Sequence, residues 1–313
     1  MARAPVELCD VTARDGLQSG ALVWPTEDKL ELIGRLVAAG VRRLEVASFV
    51  DPQRVPAMAD AEAVCAGLRR GSGATDPVGD GAVRHVGLVL NERGLERAVA
   101  AGVDEVNVVV ACSDTFAEAN QGTTAAGSVE RWGRVAAQAR AVGMPAQVVL
   151  STAFGCPYEG EVPVGRVAEV AAACAAVGPA RLTLADTIGS ASPADVDERV
   201  GAVLAVLPSG VSPGLHLHNS RGTAAANAWV AYGLGVRSFD ASLAGIGGCP
   251  FAPGASGNVC TEDLAYLFER SGVPTGLDLD ELVRASRWLT ARLGQATPGQ
   301  YARAGPFPRR PLR

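Results

Sequence analysis

Eight short runs of nearly continuous apolar residues recur along the chain: VELCDV, RRLEVASF, RHVGLVL, DEVNVVVA, AQVVLSTA, ARLTLADT, GLHLHNS and RSFDASLAG. Between them lie segments in which apolar residues return with a helical period, such as TEDKLELIGRLVAAG, PVGRVAEVAAACAAVG and GTAAANAWVAYGLG. Several of these close on Gly, a frequent helix stop, and the first two open on Thr or Pro, which suit a helix start. Strands that are apolar on both faces are parallel strands covered by helices, so eight strand-helix units predict a (β/α)8 TIM barrel. An open doubly wound sheet needs no eighth strand, and no GxGxxG opens the first helix. A further helix over about residues 278 to 294 falls outside the eight units. The pattern therefore predicts a single catalytic barrel domain over 1–294 with an extra C-terminal helix, then a loosely packed tail over 295–313.

In such a barrel the active site lies at the carboxyl ends of the strands, and the unusual polar residues fall there. Strand one runs into Arg14, Asp15 and Gln18, strand two carries Glu45 and Ser48, and strand three ends at Asn91. Strand six ends at Asp186, strand seven at His216, His218 and Asn219, and strand eight leads through Asp240 to Cys249 and Asn258. His216 and His218 are two apart, so strand alternation points both into the barrel and turns Leu215 and Leu217 toward the helices. Two inward imidazoles at a strand end make half of a metal site, with Asp15 the nearest inward carboxylate; the other reading is a pair of hydrogen-bonded core histidines. The glycine-rich stretch AGIGGCPFAPGASGN fits a connector, a phosphate-binding turn, or a mobile lid that carries Cys249 and offers the Asn258 amide as a ligand.

Composition narrows the function classes. Hydrophobic residues are 48% and charged residues 19% of the 313 positions, which suits a packed core. A net charge of −5 and the lack of a basic run interleaved with aromatics argue against nucleic acid as a partner. Seven widely spaced cysteines without a CxxC pair fit reduced thiols in the cytoplasm. Cys9, Cys65, Cys112 and Cys174 lie in strand or helix patterns as small buried hydrophobes. No run of about 20 apolar residues could span a membrane, and no leader pattern precedes the first strand.

The motifs TARDGLQ, LEVASFV, FGCPYEG, LADTIG, HLHN and GIGGCPFAPGASGNVCTEDL, met in this order from about residue 6 to residue 290, resemble the 3-hydroxy-3-methylglutaryl-CoA lyase family of barrel metallolyases. The resemblance implies that Asp15, His216, His218 and Asn258 bind a divalent cation, Mg2+ or Mn2+. It implies that Arg14 stabilises an enolate formed on a thioester, that Cys249 takes part in acid/base catalysis, and that Glu45 and Asp186 line the site. Gln18, Ser48, Asn91 and Asn219 are then substrate or supporting contacts. The expected reaction is cleavage of 3-hydroxy-3-methylglutaryl-CoA to acetyl-CoA and acetoacetate, by a homodimer with an acyl-CoA as its partner molecule. Two positions depart from the family pattern: Asn219 stands where HxHD has its carboxylate, and Asp10 stands where strand one usually carries Glu. Both bear on substrate preference rather than on the ligands.

Three alternatives accompany this expectation. A citramalyl-CoA lyase would perform the same chemistry and release pyruvate. A condensing acyltransferase of the isopropylmalate or homocitrate synthase type shares the barrel and the histidine pair, but the glycine-cysteine loop favours a lyase. A non-catalytic scaffold predicts loss of at least one of Arg14, Asp15, His216, His218 and Asn258, and all five are present.

Overall fold

The computed structural model describes residues 3–20, 22–71, 82–248 and 257–307. Eight parallel strands close into a barrel in sequence order: β1 (Glu7–Asp10), β2 (Arg43–Ser48), β3 (Arg84–Val89), β4 (Glu105–Ala111), β5 (Ala146–Ser151), β6 (Arg181–Asp186), β7 (Ser212–Leu217) and β8 (Ser238–Ala241). Pairing of β1 with β8, in the register Cys9 with Asp240, completes the ring. This is the TIM barrel expected from the eight apolar runs.

The helices that cover it are α1 (Thr26–Ala38), α2 (Ala61–Gly71), α3 (Glu92–Ala101), α4 (Asp114–Gln121), α5 (Ala125–Ala141), α6 (Val164–Ala175), α7 (Pro193–Leu204), α8 (Ala224–Gly233) and α9 (Thr261–Arg270). Their starts are written in the sequence. Ser192 and Asp195 close a capping box over α7, with Pro193 in its first turn, and the Asn91 side chain accepts the Gly94 amide at the start of α3. Leu182, Leu184, Leu215 and Leu217 face outward under these helices and are 1% exposed or less. Burial of each side chain is worth roughly 2 kcal/mol.

Two further helices follow, α10 (Leu279–Leu293) and α11 (Tyr301–Ala304). The first is the extra helix that the periodicity predicts. The second lies in the segment expected as a loosely packed tail over 295–313, which is mostly exposed over 295–307 but anchored at Gly299 and Tyr301. Tyr301 is buried and stacks on Tyr266, the Gln300 and Tyr301 amides donate to Asp263, and the Gly299 amide donates to the Ala244 carbonyl. Its proline and glycine content allows tight turns that press against α9 at these points. Residues 308–313 lie outside the described residues.

Inside the barrel, side chains alternate with the outward leucines. At the amino-terminal end Glu105 accepts from Arg43, Arg84 and Gln147, forming a charged floor. The other inward positions rise toward the carboxyl ends, where a cavity of about 1190 Å3 opens.

Candidate active site

The cavity floor is built from strand ends. β7 delivers His216 and continues to His218, both inward as the two-residue period requires, their ring centroids 5.2 Å apart. Each imidazole is oriented through Nδ1, His216 by the Asp240 carboxylate at 3.2 Å and His218 by the Thr187 carbonyl at 2.6 Å. A proton held at Nδ1 leaves the Nε2 lone pairs facing the site. Those nitrogens lie 4.0 and 3.5 Å from Oδ2 of Asp15. Asp15 comes from a π-helical turn, Thr12–Gly16, directly after β1; such turns recur at functional sites because they throw one side chain out of helical register.

Arg14 precedes Asp15 on that turn and binds it through Nη1, while Nε and Nη2 both meet Oε2 of Glu45. A register shift in the β2 to β3 pairing falls immediately after Glu45. Burial would raise the Asp15 carboxyl, but the Arg14 guanidinium and the two imidazoles hold it well below the usual carboxylate range. His216 goes the other way: burial opposes its charged form, yet Asp240 and Asp15 together raise its pKa. Arg14 also outweighs its burial through Glu45 and Asp15 and is locked in its charged form.

Asn258 arrives on the far side of the glycine-rich loop. The Asn219 amide donates to Gly257, the Val259 amide to Leu217 and the Ser242 amide to Val259, so the segment wedges between the ends of β7 and β8 beside His218. Its Nδ2 sits among Asp15 Oδ2 at 2.7 Å and the carbonyls of Ile246 and Gly247, each at 3.1 Å. Three acceptors around one atom identify it as the nitrogen, which leaves Oδ1 as the free end. Gly247 makes this approach possible: at φ +91 a Cβ there would lie 2.6 Å from Gly16 Cα and 2.9 Å from Asn258 Nδ2.

Buried polar groups are almost always hydrogen-bonded, so the exceptions are informative. Nε2 of His218 and Oδ1 of Asn258 are two such exceptions beside Asp15, and Oε1 of Gln18 in the cavity lining is another, all buried without a hydrogen-bond partner. Asp15, His216 and His218 form a group whose ligand atoms lie within 4.8 Å of one another. Two imidazole nitrogens with a carboxylate and an amide oxygen form a mixed N/O set suited to a divalent cation. The residues present fit a metal.

Comparison with known proteins bears on this geometry. The HMGL-like family model matches residues 5–289. The chain belongs to the HMGL-like family. Among the family's relatives of this chain, the (R)-citramalyl-CoA lyase of Chloroflexus aurantiacus is 44% identical over 302 residues, covering 96% of this chain and 95% of that protein. The hydroxymethylglutaryl-CoA lyase YngG of Bacillus subtilis is 37% identical and covers 94% of this chain and 95% of its own. The structure of an HMG-CoA lyase from A. baumannii in complex with coenzyme A and 3-methylmalate matches with a TM-score of 0.88 at 39% identity, covering 99% of this chain and 98% of that one.

Within this HMGL-like barrel the residues singled out by sequence separate into groups. Arg14, Asp15, Gln18, Glu45, Asn91, His216 and His218 line the cavity, and Asn258 touches Asp15 beneath it. Cys249 lies outside the described residues. Asp186 does not line the cavity: its neighbours Ala185 and Thr187 do, and strand alternation turns Asp186 away, where its carboxylate accepts the Ser190 and Ala191 amides. Ser48 is brought back into phase with Glu45 by the register shift and pairs with Leu88 of the cavity wall, but it does not line the cavity and is buried with no hydrogen bond. Asn219 turns its Oδ1 to the Ala224 amide and serves the start of α8. Asn91 reaches the rim, but its carbonyl oxygen is taken by the α3 cap.

Two inward residues of the site were not assigned from sequence. Asp240 is paired in register with His216, so strand alternation alone could have found it. Asn107 lines the cavity and donates to Oε1 of Glu45 at 2.9 Å, but it is hidden as the one amide in the apolar run EVNVVV.

Proposed function

We propose that the chain cleaves the C2–C3 bond of a 3-hydroxyacyl-CoA thioester with the help of a divalent cation, Mg2+ or Mn2+. The leading substrate is 3-hydroxy-3-methylglutaryl-CoA, which yields acetyl-CoA and acetoacetate. Family membership gives the reaction class, and the chain is a carbon-carbon lyase. The observation that carries the assignment to this site is the pair of orphaned acceptors, His218 Nε2 and Asn258 Oδ1, beside Asp15 and a fixed arginine.

Asp15, His216, His218 and Asn258 would hold the cation. When bound it supplies Lewis acidity that lowers the pKa of a coordinated hydroxyl. Asp240 and the Thr187 carbonyl keep both imidazoles in the tautomer that presents Nε2. As the 3-hydroxyl proton passes to Cys249, which we assign as the base, C3 becomes a ketone carbonyl and the C2–C3 electron pair passes to the thioester as an enolate. Negative charge then develops on the thioester oxygen, where a guanidinium that never loses its proton is the matching partner. Glu45 and Asp15 hold Arg14 for that purpose. A proton must finally reach C2, and we assign this acid/base work to Cys249.

A second reading is favoured by the 44% identity to the (R)-citramalyl-CoA lyase: a substrate one methylene shorter, giving acetyl-CoA and pyruvate. The test is a steady-state assay of chelator-treated protein with Mg2+ or Mn2+ restored, offering both thioesters and identifying the keto acid. Metal-dependent acetoacetate supports the leading substrate and pyruvate the second. Turnover of neither would remove the function from this site. No helix among the described residues is long and apolar enough to cross a membrane. From the family resemblance we also assign a homodimer in the cytoplasm; light scattering at a single chain mass would refute the dimer.

A further inference from the structure

Arg14 is aimed by a carboxylate that is itself aimed by another side chain. The guanidinium places Nε and Nη2 on a single oxygen of Glu45, Oε2, and Nη1 on Oδ1 of Asp15. Two donors on one oxygen leave Oε1 to a different partner, and Nδ2 of Asn107 supplies it at 2.9 Å. Glu45 is 1% exposed, so bulk water has no access to replace that bond. Asn107 stands in mid-β4, turned inward between Glu105 of the charged floor and Val109 of the cavity wall.

We propose that Asn107 is a positioning residue for this lyase. By donating to Oε1 it keeps the Glu45 carboxylate rotated so that only Oε2 faces Arg14. A carboxylate without such a partner turns to meet a guanidinium with both oxygens, the preferred parallel fork. That rotation would draw Arg14 toward Glu45 and away from Asp15, shifting the guanidinium from where the enolate oxygen develops. The bond acts on charge that appears only in the transition state, so its loss is read in kcat rather than in KM. The inference rests on the lyase reading for its kinetic consequence, but not for the arrangement of Asn107, Glu45 and Arg14.

Two substitutions test it. Asn107→Asp keeps the size, removes the donor and sets a second carboxylate against Glu45; Asn107→Val removes the donor without adding charge. The expected kcat is roughly tenfold below the parent for Asn107→Val and roughly a hundredfold below for Asn107→Asp. KM and the Mn2+ dissociation constant should stay within about threefold, since Asn107 acts through Arg14. A packing role predicts the reverse order, with the isosteric Asp variant near the parent, and that result or an effect confined to KM would overturn the proposal. An activity-free readout is the 15N-edited Nε–H resonance of Arg14 in the metal-free protein, assigned by its loss in Arg14→Lys. It should move in both variants, and an unmoved resonance overturns the proposal whatever the kinetics. If the parent cleaves neither thioester the proposed function fails, while the resonance still decides the role of Asn107. Should Asn107→Asp not fold, the kcat and KM of Asn107→Val and its resonance decide the question alone.

Discussion

The barrel interior holds two charged clusters, one at each end, and they are built on different rules. In the floor, both oxygens of Glu105 are occupied, Oε2 by Arg43 and Gln147 and Oε1 by Arg84. Arg181 Nε and Nη1 and Glu7 Oε2 do lack hydrogen bonds there, but they belong to one ion pair, closest at 2.8 Å, so each charge has its counter-charge. At the mouth the orphans include neutral lone pairs on His218, Asn258 and Gln18, and the first two belong to residues that touch a carboxylate held in its ionised form. Buried charge alone therefore does not mark the site. Neutral lone pairs left without donors beside an ionised carboxylate do, because a cation can satisfy them together with that charge.

The largest expected effect at the mouth is on turnover. Arg14→Lys replaces a fork that meets Glu45 and Asp15 by a point charge on a flexible stem. The kcat should fall by roughly 10²–10³-fold, the range for losing a preorganised donor to a developing oxyanion. Mn2+ affinity, measured by electron paramagnetic resonance, should change by less than about tenfold. A near-parental rate would take Arg14 out of the mechanism.

Removing a lone pair separates the two ends more directly. His218→Ala deletes an orphaned acceptor, and Mn2+ affinity should drop about a hundredfold or more, with a stability loss of about 1–3 kcal/mol from the lost Nδ1 bond to the Thr187 carbonyl. At the floor, Glu105→Gln should cost more stability and spare the metal. It leaves Arg43, 3% exposed, facing a neutral amide, and breaking a buried pair costs about 3–5 kcal/mol. Denaturant unfolding should report that loss with Mn2+ affinity unchanged. If Glu105→Gln weakened metal binding as much as His218→Ala, the two clusters would be one coupled network.

The two ends also differ in how plainly the sequence announces them. The eight strands were legible because parallel strands under helices are apolar on both faces, and two histidines at period two could only share a face. The shared inward face of His216 and His218 followed from that parity, whereas the proposed role of Asp15, on the turn after β1, rests on the family resemblance. Asp186 terminates a strand beside the site, and sequence alone does not reveal that one residue of phase separates Thr187, which faces the cavity, from Asp186, which anchors the next turn. Adjacency to His218 says little of the Asn219 side chain, which caps α8 while its backbone amide holds Gly257, next to Asn258. The brace made by Gly299 and Tyr301 was invisible because turn-forming composition looks alike whether the turns are docked or free.

The smallest predicted effect probes a carboxylate between these extremes. Asp10 sits at the end of β1, 1% exposed, with its oxygens on the Thr12 amide and the Thr261 hydroxyl. Burial pushes its pKa up to about 6 from 3.8, and the hydrogen bonds only partly offset this. A carboxyl whose folded pKa is raised favours the fold when protonated. That contribution is complete below pH 3.8 and is lost as pH rises through about 6. Its upper bound is about 3 kcal/mol, because each tenfold change in proton affinity is worth about 1.4 kcal/mol. Asp10→Asn keeps one acceptor and removes the titration, so the stability of the variant relative to the parent should rise between pH 4 and pH 7 by up to that amount. Parallel unfolding curves at the two pH values would instead mean that Asp10 is ionised in the fold at both, its two hydrogen bonds outweighing its burial.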